Sequence, residues 1–103
     1  MEHDMEHEIA TGMAWYFQEQ WDRIRAMSED RAVMEEKYED WESNALAVLA
    51  RMEAAGETVH RVYLDADLLQ AWCRRKGRPV NGYARSQYVS YLMAERLGNR
   101  PDP

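Results

Sequence analysis

The sequence predicts a mainly α protein, with four helices and one short β-strand, arranged as a helical hairpin or kinked long helix followed by strand–helix–helix. Three observations lead there. Chain-breakers are scarce: five Gly and three Pro in 103 residues, too few for a many-stranded sheet with regular turns. Apolar residues recur at heptad spacing from Ala10 to Ala55. Between Thr58 and Leu64 that period gives way to β-branched and aromatic residues, the composition of a strand.

Placing Ala10 at heptad position a puts Phe17, Ile24, Arg31, Tyr38, Ala45 and Met52 in one column. Position d then collects Met13, Gln20, Met27, Met34, Trp41, Val48 and Ala55. All but Gln20 and Arg31 are apolar or aromatic, which is the signature of a helix with one buried face. Ser28, followed by Glu29 and Asp30, reads as an N-cap with acids in the first turn. Two helices are therefore expected, over 9–27 and 29–55, with a kink or tight turn at Ser28. A single bent helix is the alternative, and unbroken from Ala10 to Ala55 it would run ~69 Å.

Gly56 closes this region as a C′ glycine. A strand over 58–64 follows, with His60, Val62 and Leu64 on one face and Val59, Arg61 and Tyr63 on the other. Asp65 caps the next helix, which carries Asp67 in its first turn and Arg74, Arg75 and Lys76 in its last, before Gly77. Leu68, Leu69, Trp72 and Cys73 form its apolar face. Asn81 caps a final helix to about Leu97, closed by Gly98-Asn99, with Ala84, Tyr88, Val89, Leu92 and Met93 turned inward. The tail Arg100-Pro101-Asp102-Pro103 is expected to fray.

The length suits one domain, 1–103, made of an acidic helical half, 9–55, and a basic strand–helix–helix half, 57–98. Residues 1–55 hold fourteen acids and five bases, a net −9, whereas residues 56–103 hold five acids and eight bases, a net +3. Such halves either meet different partners or attract each other. The longest apolar runs are a few residues, against the ~20 that span a bilayer, so no membrane segment is expected. A single cysteine and an acidic start make the cytoplasm the expected compartment.

The strand is the most informative feature after the helices. Its backbone needs a partner, and no second strand stands out in the sequence. Pairing with its own copy in a homodimer is therefore an expectation. The stretch from His60 to Leu97 resembles, in HRVYLDADLLQAWCRRKGRPVNGYARSQYVSYL (60–92), the strand–helix–helix order of ribbon-helix-helix repressors. That resemblance implies a dimeric nucleic-acid-binding regulator, with paired strands in the DNA major groove. The bases it would use are Arg61, Arg74, Arg75, Lys76, Arg78 and Arg85, with Tyr63 beside them. Overall acidity disfavours nucleic acid as the partner.

Across its whole length the chain also resembles a group of small proteobacterial proteins of unknown function. The likeness lies in Trp15-Tyr16-Phe17 with Trp21-Asp22, in Tyr38-x-x-Trp41, and in Trp72-Cys73 after Leu64-Asp65-Ala66-Asp67. It implies an organisation and no activity.

Among functional candidates, Trp15, Tyr16 and Trp21 are the expected partner-binding residues, because Trp and Tyr dominate interface hot spots. A core filled with large rings is the competing reading. His3 and His7, four apart among acids, would share a helix face suited to a metal, but a solvated acidic terminus is the stronger reading. Cys73 and His60 lack an oxyanion turn, and a thiol on an apolar face is inert. There is no phosphate-binding glycine loop and no serine elbow. No catalytic residue, cofactor or metal is expected. The sequence reads as a non-enzymatic, self-associating protein-interaction module.

Overall fold

The structure is a computed structural model that describes residues 10–98, the side chains of Leu97 and Gly98 excepted. His3, His7 and the tail 99–103 lie outside the described residues.

The helix expected over 9–27 does not form as such: its described part becomes helical only from Gln18. Thr11–Trp15 is a strand, β1, and it pairs in parallel with β2, Val59–Tyr63. The register sets Gly12 beside His60, Met13 beside Arg61 and Ala14 beside Val62. The described residues thus hold two strands rather than one, and β2 finds its neighbour in the same chain. Parallel strands need a long crossover. Here it consists of α1 (Gln18–Met27), a single 3-10 turn (Arg31–Val33) and α2 (Tyr38–Ala54). Two further helices follow β2: α3 (Ala66–Lys76) and α4 (Gly82–Gly98). The architecture is mainly α with a small sheet.

Neither the hairpin of 9–27 with 29–55 nor the single bent helix forms, because residues 28–37 are not α-helical. Ser28 is extended and bridges Val80 in parallel, while the Glu29 N–H donates to the Val80 carbonyl at 2.8 Å. The buried Ser28 hydroxyl donates to the Ile24 carbonyl at 2.7 Å. The acids that read as a first helical turn serve a different helix. Glu29 accepts from the Asn81 side chain at 2.7 Å, and Asp30 accepts from the Gly82 N–H at 3.0 Å, both at the N-terminus of α4. The helix-start signal is real, but its helix is 52 residues away in sequence.

The two polar exceptions in the heptad columns both bond backbone groups, Gln20 across the fold and Arg31 locally. Gln20 on α1 accepts the Ala66 N–H at 2.6 Å and so holds the first residue of α3. Arg31 donates to the Ala26 carbonyl at 3.0 Å, near the end of α1, where a cation suits the helix dipole.

The caps of the second half form where the sequence sets them. Asp65 accepts from the Leu68 N–H at 3.0 Å, and Asn81 accepts from the Ala84 N–H at 2.8 Å. Gly77 ends α3 in the left-handed region, φ 66°, where a side chain would be strained.

The sheet lies between helices on both faces. On one face Ala14, Val62 and Leu64 join the main core with Trp21 and Ile24 of α1, Leu69, Trp72 and Cys73 of α3, and Ala84, Tyr88 and Val89 of α4. On the other, Trp15 packs with Ala45 and Leu49 of α2, supported by Met13, Trp41 and Val59. Of the apolar face expected for α3, Leu68 lies outside, 62% exposed. α4 presses on β1 because position 12 is glycine. A Cβ there would sit 2.8 Å from Val89 Cγ1 and 2.9 Å from Met93 Cγ, closer than carbon atoms normally approach.

Candidate functional site

The rings expected to meet a partner are inside. Trp15, Tyr16 and Trp21 are 3%, 5% and 2% exposed, so as partner-binding residues they are corrected to core. Trp41 is the reason. Its ring lies 5.1 Å from Trp15, 5.0 Å from Tyr16 and 5.4 Å from Trp21, joining the start of the chain to α2 in one aromatic cluster. Tyr38 completes the cluster at 5.4 Å and donates its hydroxyl to the Tyr16 carbonyl at 3.0 Å. The exposed aromatic surface is made instead by Phe17, expected on the buried helix stripe, and Tyr63, expected beside the bases of a nucleic-acid site. Phe17 stacks on Tyr63 at 4.7 Å with both rings about half exposed, beside a groove lined in part by Tyr63 and Leu68.

The basic residues do not form one stripe. Arg61 covers the Trp15 ring at 4.2 Å. Half-buried Arg78 lies against Trp72 and Tyr83, its guanidinium 5.6 Å from each ring. Arg85 is occupied: it grips Asp30 through both terminal nitrogens, at 3.1 and 2.9 Å, and donates to Ser28 Oγ at 2.8 Å. Arg74, Arg75 and Lys76 are exposed together at the end of α3. The expectation that β2 offers an unpaired edge to its own copy fails at its inner edge, which β1 fills.

Arg85 fixes the electrostatics of this end of α4. Its hydrogen bond and charge hold the Asp30 carboxyl below the usual carboxylate range, against a smaller opposing effect of burial. Burial pushes the Tyr16 phenol up, with the Arg85 charge pulling it down. Burial likewise raises the Cys73 thiol, which makes it a weaker nucleophile than an exposed thiol. Among the described residues, no three His, Cys, Asp or Glu side chains gather to hold a metal ion. No described helix is long and apolar enough to cross a membrane.

What remains is the sheet's outer boundary. The Thr11 N–H donates to the Thr58 carbonyl at 2.9 Å, and the Leu64 N–H donates to the Trp15 carbonyl at 3.0 Å. In a parallel ladder successive residues direct their backbone groups to opposite sides. Thr11, Met13 and Trp15 therefore address β2, whereas Gly12 and Ala14 point away from it. Among the described residues, nothing hydrogen-bonds the outward N–H and C=O of Gly12 and Ala14. By the same alternation β2 turns the backbone groups of Val59, Arg61 and Tyr63 outward.

A cleft flanks each edge, with α4 between them. The cleft beside β1, about 410 Å³, has Ala10, Gly12, Ala14 and Tyr16 on one wall. Its other wall is a stripe of α4: Gly82, Arg85, Ser86, Val89, Ser90 and Met93. The groove beside β2, about 420 Å³, is lined by Val62, Tyr63, Asp65, Leu68, Tyr88, Leu92, Glu95 and Arg96. Comparison with family models, with curated proteins and with solved structures finds no match. Function has to be read from these surfaces.

Proposed function

We propose that the chain is a non-enzymatic protein-interaction module that self-associates. One observation carries this reading: a two-stranded sheet with both outer edges uncovered among the described residues, each beside an open cleft of about 410–420 Å³. Two strands are a marginal sheet by themselves, and an uncovered edge is a template for another strand. The half-exposed Phe17–Tyr63 stack adds apolar area of the kind found at interfaces.

The test is the mass of the full chain by light scattering over a wide concentration range. Self-association gives a rise from 12.2 kDa toward twice that value. A mass fixed at one chain at every concentration would remove the proposal.

The alternative, a dimeric nucleic-acid-binding regulator, keeps three neighbouring exposed bases, Arg74, Arg75 and Lys76. Binding to random-sequence DNA at two salt concentrations separates the readings, since phosphate contacts weaken steeply with salt.

A further inference from the structure

Resting on the self-association just proposed, we infer that two copies join through β1. The strands run antiparallel, with Gly12 of one chain opposite Ala14 of the partner subunit, so that two small sheets become one of four strands.

The hydrogen-bonding pattern selects this arrangement. Residues that turn both backbone groups outward form the hydrogen-bonded pairs of an antiparallel ladder. In β1 those residues are Gly12 and Ala14. Setting each opposite the other satisfies both donors and both acceptors on each chain, giving four new bonds about a two-fold axis at Met13. A closed dimer uses the same patch on both subunits, and an edge presenting alternating donors and acceptors complements itself when reversed.

Charge selects β1 over β2. The sequence of β1, TGMAW, has no ionisable side chain, and among the described residues the one charged side chain lining its cleft, Arg85, is paired with Asp30. Among the described residues, two copies therefore bring no unpaired like charges of the cleft together. β2 carries exposed His60 and Arg61, and Asp65, Glu95 and Arg96 line its groove. Charges on an edge are how sheets avoid pairing with strangers.

The α4 stripe permits the approach. Pairing of the strands brings α4 of each subunit to the same face of the joined sheet, and helices pack at about 8–10 Å between axes only with modest side chains at the contact. The positions facing the cleft from its exposed flank are Ser86 and Ser90. On the opposite face, half-buried Met13 meets Met13 of the partner subunit.

The experiment uses the full chain and three variants, with mass by light scattering and fold by circular dichroism. Ala14→Pro removes one outward N–H and no bond to β2, and proline is tolerated on edge strands. Ser90→Glu places like charges across the helix contact at an exposed site, so it reports even if Ala14→Pro does not fold. Met13→Cys brings two thiols to the ~4.5 Å Cα spacing of a non-hydrogen-bonded pair, within disulfide reach. We expect the native chain to dimerise and each folded edge variant to raise the dissociation constant at least about tenfold. Mild oxidation should link Met13→Cys into a reducible dimer, while the native chain, whose single thiol is buried, stays unlinked. A native dimer that persists in Ser90→Glu without a Met13→Cys link overturns the β1 interface but leaves self-association standing. A monomeric native chain overturns both.

Discussion

The two strands of the small sheet are alike in length and burial of one face, yet they differ in what makes them strands. β2 is Val-His-Arg-Val-Tyr, extended by composition, and its outer edge carries the exposed Arg61. β1 is Thr-Gly-Met-Ala-Trp, with two residues that disfavour strands, and its outer edge is bare. β1 is extended because β2 pairs with it, α4 lies across Gly12, and Trp15 and Tyr16 are locked into the aromatic cluster around Trp41. A strand made by its surroundings reports on those surroundings when they are altered, and a strand made by its own residues does not.

That difference can be broken hardest at Trp41, whose ring lies against Trp15 and Tyr16. Trp41→Ala is expected to destabilise the chain by about 3 kcal/mol in denaturant unfolding, the low end of the range for a truncated aromatic, because Trp41 is partly buried. A loss below about 1 kcal/mol would mean that the cluster does not hold β1 in place.

A smaller effect is expected at the Asp30–Arg85 pair, which ties residues 28–30 to α4 and thereby fixes the helix that covers β1. Asp30→Asn leaves the mostly buried Arg85 side chain without its counter-charge, at a cost of about 2–3 kcal/mol. The pH dependence follows from the depressed Asp30 carboxyl. Its contribution is fully present above the unfolded value, about pH 4, and is lost as pH falls through the lower folded value. Acid unfolding of Asp30→Asn should accordingly show a shallower slope below about pH 4 than the native chain.

The register partners Gly12 and His60 give the sharpest matched pair. Gly12→Ala places a methyl against Val89, whose branched side chain has few rotamers to retreat into, and should cost about 1–3 kcal/mol. His60→Ala, exposed and directly opposite, should change stability by less than about 0.5 kcal/mol. Thermal unfolding of the two variants side by side checks the asymmetry. Arg61→Ala, which removes a cation from the Trp15 ring, is expected to cost about 0.5–1 kcal/mol.

The same contrast explains what could be read from the sequence. The caps at Asp65, Gly77 and Asn81 are local devices, set by residues within a few positions of the helix they serve, and all three form as expected. β1 was hidden because Ala10, Met13 and Phe17 continue the heptad columns of the helices after them. The one signal against a helix was Gly12, the only glycine between Ala10 and Ala55, together with β2's need for a neighbour. Ser28-Glu29-Asp30 misled for a related reason: the residues that satisfy a helix N-terminus need not precede it in the chain. The candidate site was least legible of all. Its working groups are the backbone of Gly12 and Ala14 and the small side chains of Ser86 and Ser90, none of which carries a motif. The large aromatics that do attract notice, Trp15, Tyr16 and Trp21, are the ones the core consumes.

Amide hydrogen exchange, resolved by residue and followed from dilute to concentrated solution, tests the β1 interface most directly. The outward amides of Gly12 and Ala14 should gain protection as concentration rises, while those of Arg61 and Tyr63 on the β2 edge stay unchanged. Protection that rises at Arg61 and Tyr63 instead, or at neither edge while the mass doubles, would contradict it.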